Sequence, residues 1–449
     1  MKALIIAAGD GTRMQPVICG RHKSLMELLS LKIIERVVLA SKEAGILEFL
    51  IVVGYKGDGI KKQIGNGQRY GVSVEYIENK KWEKSNGISV LLAKDFFQNE
   101  ERFALLMSDH VFNSGTLRGI KRVKIKRDEC VLAIDKNLKS ALDIEDTTKA
   151  MVKNGRVVRI GKNIEEYNAY DTGMFVCTPQ IFNYLDKTTK VGKNSLTDGI
   201  KHYVSNNNLK AYDIKGNFWA DCDTYEDIKF AKKGLLKSLT KNKDGIISKT
   251  INRKFSTSIT RLLIKMPITP NMISFIILLF APLAFIFLAQ GTYPWLIIGG
   301  LLIQFMSIAD GCDGEVARLK LVRSEFGGFL DRNLDKYIDA TAIAGMAVGY
   351  LKVTNDATIL PVAIFLMLGL GLDGYMPNVF RVETGHKLKI KWPIYASIGR
   401  DFRLLILALG AIFNQVMIVF LILLVIYNLR VVFRLIAGKR ILNKSVLAS

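Results

Sequence analysis

The sequence predicts two domains of different class on one chain, an α/β layered domain followed by an all-α membrane domain of six transmembrane helices. Three observations predict this. Short runs rich in β-branched and aromatic residues alternate with helical patterns up to about residue 230, as in a layered domain with a mainly parallel sheet. From Met272 onward, long apolar runs recur with few charges inside them. Lys and Arg then collect in every second connection between those runs.

In the first part the strand runs are Ala3 to Ala8, Phe49 to Val53, Val72 to Ile77, Phe103 to Met107 and Val131 to Ile134, with a helical pattern from Ile33 to Ala44. The opening run breaks into Gly9-Asp10-Gly11 too soon for a signal peptide and reads as a buried first strand. In the second part the spans are Met272–Ala289, Tyr293–Ala309, Phe329–Leu351, Ala357–Tyr375, Phe402–Phe413 and Val416–Leu429, the fifth being short. Basic residues precede the first span (Arg253, Lys254, Arg261, Lys265) and fill the second connection (Arg318, Lys320, Arg323). They also fill the fourth connection and the tail, whereas the first, third and fifth connections hold only Lys352. Six spans with both termini on the cytoplasmic side of the cell membrane satisfy every loop.

These patterns divide the 449 residues into a cytoplasmic domain (1–232), a basic linker (233–271) and a membrane domain (272–449). Within the linker, Ser256 to Lys265 has apolar residues at helical spacing and basic ends, as expected of an amphipathic helix in the membrane interface; a plain basic linker is the alternative. The formal charge of +22 is concentrated in this linker and in the membrane loops, which favours an anionic bilayer surface over nucleic acid as partner. Five cysteines, Cys19, Cys130, Cys177, Cys222 and Cys312, are scattered without metal or disulfide spacing and read as reduced and structural.

The first strand opens into Gly9-Asp10-Gly11-Thr12-Arg13, with Lys23 further on. Glycines let backbone N–H groups approach a triphosphate, and the basic side chains neutralise it. This combination resembles the sugar-phosphate nucleotidyltransferase family, although Ser24 stands where the family has Pro after the Lys. The resemblance covers residues 1 to 232 and implies a Rossmann-like nucleotidyltransferase domain. It further implies a metal-binding Asp109 at a strand end and a second metal aspartate at Asp223, with Asp221 its rival. Asn86-Gly87-Ile88-Ser89 then reads the base, and Asp171 to Phe175 lies on the sugar side. His110 is expected to be a neighbour without catalytic work. The nucleotide-binding set is Ala8, Gly9, Gly11 and Asn86; Arg13 and Lys23 are catalytic, stabilising charge at the α-phosphorus.

In the second part, Asp310 and Asp313 are spaced i, i+3 and Asp331 and Asp335 i, i+4, so each pair shares a helix face. Carboxylates at membrane helix ends are costly, and two such faces brought together make an oxygen-rich site for a hard divalent cation. The run from Asp310 through Gly314, Ala317, Arg318, Gly327 and Asp331 to Asp335 resembles, position for position, the signature of the CDP-alcohol phosphotransferase family. The resemblance implies that Asp310, Asp313 and Asp331 hold metal, Mg²⁺ or Mn²⁺ as in the first domain. Asp335, also in the metal set, then takes the proton of the attacking hydroxyl, CMP leaves, and Gly314, Ala317, Arg318 and Gly327 receive the nucleotide. Asp339 and Asp373 read as supporting groups. Lys389, Lys391, Arg400 and Arg403 are candidates for a phosphate on the acceptor, although positive-inside topology alone also explains a basic loop.

The order of the two parts resembles the bifunctional family of inositol-1-phosphate cytidylyltransferases joined to di-myo-inositol-phosphate-phosphate synthases. That resemblance implies CTP, inositol 1-phosphate and a CDP-alcohol intermediate as partners, osmolyte biosynthesis as the setting, and a homodimer. Phospholipid head-group synthesis from another CDP-alcohol, such as CDP-choline or CDP-ethanolamine, with a lipid acceptor is the enzymatic alternative. A transporter with a regulatory nucleotide-binding domain is the non-enzymatic one; the aspartates, gathered near one membrane face, speak against it.

Overall fold

The computed structural model describes residues 1–14, 20–138, 147–240, 247–388 and 399–446, which form two units, Met1–Ser238 and Leu239–Ser449. Cys19, Lys389 and Lys391 lie outside the described residues.

The first unit is built on one nine-stranded sheet. Its strands are β1 (Ala3–Ala7), β2 (Glu48–Val53), β3 (Ser73–Glu78) and β4 (Phe103–Met107), then β6 (Cys130–Asp135), β7 (Lys149–Lys153), β8 (Arg156–Gly161), β9 (Ala169–Cys177) and β10 (Leu209–Asp213). They lie in the order β3-β2-β1-β4-β9-β6-β10-β8-β7. The first four are mutually parallel, and β1 is buried at every position, as a strand covered on both faces must be. That half is the Rossmann-like arrangement.

The other half departs from the expected parallel sheet. There β9 runs antiparallel to both β4 and β6, and β7 and β8 form a hairpin. The hairpin turns through Asn154 (φ 49°) and Gly155 (φ 74°), the two left-handed residues that a tight two-residue turn requires. Two short strands, β5 (His110–Phe112) and β11 (Trp219–Asp221), pair apart from the main sheet with Asp221 opposite His110.

Helix α1 (Ile33–Glu43) follows the strand runs as expected, and α2 (Tyr225–Lys237) closes the unit behind a Thr224/Asp227 capping box. A small core of Met14, Leu28, Ile33, Val111, Ala220, Cys222, Ile228 and Ala231 sits between these parts.

Among its described residues the second unit has helices and no strand; after a π-helical turn (Ser248–Asn252) come α3 (Arg253–Leu263), α4 (Pro270–Leu288), α5 (Tyr293–Leu319), α6 (Glu325–Thr354), α7 (Ile359–Thr384), α8 (Arg400–Ile412) and α9 (Val416–Val446). Each predicted apolar run falls on one of the last six. Four of them, α4, α5, α7 and α9, are long and apolar enough to cross a membrane. α6 carries its charges through its first turns, and α8 is only 13 residues long, about 20 Å. Large apolar side chains such as Leu279 (71% exposed), Phe365 (57%) and Ile422 (48%) face outward, as hydrocarbon-facing surface does.

α4 and α6 approach closely where a Cβ on Gly349 would fall 2.1 Å from the Leu288 carbonyl oxygen, so only glycine fits there. α5 is apolar from Tyr293 to Ala309, roughly 25 Å at 1.5 Å per residue. Its carboxylate-bearing end lies beyond this apolar stretch.

Candidate active sites

In the first unit the site residues sit next to anchors in the small core. Met14, Val111, Ala220 and Cys222 are buried there, and their chain neighbours Arg13, His110, Asp221 and Asp223 point into a cavity of about 210 Å³. Lys23, Asn86, Asp109 and Asp171 line it as well. Lys23 is pinned between the two expected metal aspartates, in an ion pair with Asp109 and 2.5 Å from Asp223 Oδ1. Arg13 Nη2 reaches Asp223 Oδ2 at 2.8 Å.

Ser24, in place of the family's Pro, is fully buried, and its hydroxyl donates to Ser108 Oγ at 2.8 Å. It thereby ties the Lys23 turn to the strand end that carries Asp109. Gly11 has φ +60°, and a Cβ there would press on the Lys23 side chain at 3.1 Å. Ala8, Gly9 and Gly11 continue from β1 but are not among the residues lining this cavity. Asn86 accepts from the Leu196 backbone N–H at 2.9 Å, which fixes its amide at the rim.

His110, expected from the sequence to be only a neighbour, is tied to both aspartates beside it. Its Nε2 lies 3.4 Å from Asp221 and 3.8 Å from Asp109, and its Nδ1 is 2.8 Å from the Thr172 carbonyl oxygen. Burial alone would lower its pKa, but the charge of Asp221, its hydrogen bond and Asp109 together raise it to about 10. Partial burial would raise Asp109, yet Lys23 and His110 hold it down at about 2. Burial pushes Asp171 up to about 6, against a hydrogen bond from the Gly173 N–H. Gly173 itself has φ +69°, and a Cβ there would strike the His110 ring. Asp109, His110 and Asp221 bring side-chain N and O atoms within 4.8 Å of one another; the two carboxylates are the donors that fit a divalent cation, and the protonated His110 stands beside them. In that trio Asp221, not Asp223, accompanies Asp109.

In the second unit Asp310, Asp331 and Asp335 converge within the same 4.8 Å limit, an all-oxygen set suited to Mg²⁺ or Mn²⁺. Asp313 stands aside, its Oδ2 accepting from Ser274 Oγ at 2.6 Å. Arg400 Nη1 bridges Asp310 (2.7 Å) and Asp335 (2.8 Å), and Arg403 pairs with Asp339 while reaching the Tyr427 hydroxyl at 3.1 Å. Asp373 is engaged by Arg430 and Arg434 on α9, away from the cluster.

Two cavities flank the aspartates. One, of about 270 Å³, is lined by Gly314, Ala317, Arg318, Gly327, Asp313 and Asp331. The four expected nucleotide residues therefore share one wall with two of the metal candidates. The other, of about 810 Å³, is lined by Asp335, Asp339, Arg400 and Arg403 together with apolar residues of α6 and α7 such as Ile343 and Met367.

Residues 2–238 match the family described as nucleotidyl transferase, and residues 267–437 the family described as CDP-alcohol phosphatidyltransferase. Among similar proteins, the bifunctional IPC transferase and DIPP synthase of Aquifex aeolicus is 32% identical over 435 residues, covering 96% of each chain. The protein of the same name from Archaeoglobus fulgidus is 33% identical over 93% of this chain and 79% of its own. A solved structure titled inositol-1-phosphate CTP transferase, from T. maritima, covers 52% of this chain and 95% of its own at 24% identity, with a TM-score of 0.47.

Proposed function

The chain belongs to the family of bifunctional IPC transferases and DIPP synthases, an enzyme joining a cytidylyltransferase to a CDP-alcohol phosphotransferase, and on that premise we propose that both of its reactions act on inositol 1-phosphate. In the first, a phosphate oxygen of inositol 1-phosphate attacks the α-phosphorus of CTP. The bond to the β-phosphate breaks, and CDP-inositol and pyrophosphate result. In the second, a hydroxyl of another inositol 1-phosphate attacks the inositol-bound phosphorus of CDP-inositol. CMP leaves, and di-myo-inositol phosphate phosphate forms. The observation that carries this reading is that each unit gathers carboxylates around one basic side chain, Lys23 or Arg400, beside a cavity that Asn86 lines in the first unit and Gly314, Ala317, Arg318 and Gly327 line in the second.

In the first unit Arg13 and Lys23 bind the triphosphate and stabilise charge on the leaving pyrophosphate, and Asn86 meets the base. Asp109, with Asp221 or Asp223, would hold Mg²⁺, and His110 orients Asp109 and Asp221. In the second, Gly314, Ala317, Arg318 and Gly327 receive the cytidine nucleotide. Asp310 and Asp331 would hold metal with Asp335, Asp313 adding its charge from beside them, and Asp335 takes the hydroxyl proton. Arg400 orients Asp310 and Asp335, and with Arg403 it faces the acceptor's phosphate. Divalent cations in both units would supply charge compensation for the phosphates.

The membrane unit spans the bilayer six times, with residues 1–232 and the C-terminus cytoplasmic and the α3 segment in the interface, as the loop charges require. Phosphorus NMR of purified protein given CTP, inositol 1-phosphate and Mg²⁺ tests the chemistry. Resonances of a phosphodiester and a phosphomonoester on one product are expected, and choline or ethanolamine phosphate as the preferred substrate would overturn it. In a variant without native cysteines, external labelling should reach a Cys at Asn355 and spare one at Asn443; the reverse overturns the orientation.

A further inference from the structure

The signature helix α5 has a front and a back. At about 100° per residue, Asp310 and Asp313 project from one side of it, and Glu315 projects from roughly the opposite side. A carboxylate there has no part in the signature and, in a membrane protein, needs a reason. Glu315 is fully buried, and among the described residues the ion pair and the hydroxyl donors of its carboxylate come from α3. Arg253 Nη1 lies 2.5 Å from Oε1, Ser256 Oγ donates to Oε1 at 2.7 Å, and Thr260 Oγ1 donates to Oε2 at 2.7 Å.

The three donors recur at i, i+3 and i+7, a single stripe of α3, and Ser256 (1% exposed) and Thr260 (0%) are buried with their partner. The opposite stripe of α3 leaves Phe255 (58%) and Leu262 (64%) exposed. This helix is therefore amphipathic with its polar stripe turned inward.

The fit between the helices is close. A Cβ on Gly311 would sit 3.3 Å from Arg253 Nη1, and Cys312 Sγ donates to the Ser256 carbonyl at 3.6 Å. Just before α3, Asn252 donates to Ser307 Oγ at 3.2 Å and accepts from Gln304 Nε2 at 3.2 Å. From residue 304 to 315, the back of α5 is thus held by one continuous segment. Its front carries the aspartates.

We infer that Glu315 is a positioning residue: bound by Arg253, Ser256 and Thr260, it fixes the rotation and depth of α5 so that Asp310 and Asp313 face Asp331 and Asp335. The inference rests on the proposed metal site. A buried carboxylate with an ion pair and two hydroxyl donors resists both sliding and rotation, because either movement strands a charge among apolar groups. An apolar contact would leave such movements far less restrained, since hydrophobic contact is non-directional.

The test uses the full-length protein in lipid vesicles with Glu315→Gln, which keeps the shape and removes the charge. Amide hydrogen exchange across residues 304–319, without added metal, should rise at least tenfold. The Mn²⁺ concentration for half-saturation, followed by electron paramagnetic resonance, should rise about tenfold. CMP release from CDP-inositol should fall at least tenfold, while CTP consumption by the first unit stays within twofold. If Glu315→Gln fails to fold, the Ser256→Ala, Thr260→Val double variant keeps the ion pair and should shift exchange and Mn²⁺ half-saturation about threefold. A folded variant with parental exchange and parental Mn²⁺ binding overturns the inference, even if it unfolds at a lower temperature. Absence of CMP release by the parent protein would instead overturn the proposed function.

Discussion

The two sites solve one electrostatic problem in two ways. In the first unit Lys23 lies between Asp109 and Asp223, and in the second Arg400 lies between Asp310 and Asp335. Each keeps carboxylates together that would otherwise repel. The first site is assembled from strand ends and turns some 200 residues apart in sequence, held in place by the buried neighbours of its polar residues. The second is nearly local: its four aspartates lie on two consecutive helices, with Arg400 and Ser274 reaching them from afar. Long-range assembly needs a sheet and a core, whereas local assembly needs only helix periodicity and a neighbour to brace it.

The largest effects should come from separating the two. Asp109→Ala should abolish CDP-inositol formation yet leave CMP release from supplied CDP-inositol intact. Asp335→Asn should do the reverse, with a loss of about 10²–10⁴ in the second reaction, because an amide cannot take the hydroxyl proton. Radiolabelled CTP and CDP-inositol assays on both variants check this, and loss of both activities in either one breaks the comparison.

Next in size, Lys23→Met and Arg400→Met should each slow only their own reaction, by about 10²–10³, as removal of a charge stabiliser at a phosphoryl centre does. A mild effect at Arg400 beside a severe one at Lys23 would show that the membrane site's arginine orients carboxylates without meeting phosphate. Asp313→Asn sharpens the membrane site further. Because Ser274 already holds Asp313 aside from the other three, the half-saturating Mg²⁺ for CMP release should rise about tenfold, with a smaller change in kcat.

The smallest effect concerns fold stability in the first unit. Burial would raise the Glu129 pKa, but hydrogen bonds from Lys210 (2.6 Å), the Lys126 N–H (2.8 Å) and Arg156 (3.1 Å) lower it from 4.5 to about 2. Its stabilisation is complete above pH 4.5 and is lost as pH falls from there toward about 2. Acid titration followed by circular dichroism should show Glu129→Gln less stable than the parent at neutral pH and nearly equal to it below about pH 2.

Legibility in the sequence followed the same division. The membrane aspartates could be read because a helix converts spacing into facing, and the parallel strands because buried strands are continuous apolar runs. The antiparallel half was missed although Asn154-Gly155 between Lys149–Lys153 and Arg156–Gly161 is a hairpin signal. His110 could not be assigned, since its partners Asp221 and Thr172 lie 111 and 62 residues away and come near only through pairing of β5 with β11 and the turn at Gly173. Asp339 was placed correctly one turn beyond Asp335, but its union with Arg403 depends on how α6 meets α8.

The roomy cavity beside Asp335, about 810 Å³ against 270 Å³ on the nucleotide side, also admits the simplest hydroxyl compound of all. Water, at about 30 Å³ per molecule, fits beside the base wherever the acceptor is missing. Its attack on CDP-inositol would give CMP and inositol 1-phosphate, the starting material of the first reaction. With water in the acceptor's place, the two units together would consume one CTP per turn and return the alcohol phosphate unchanged. How well the acceptor fills this cavity would then set how much CTP is spent without product.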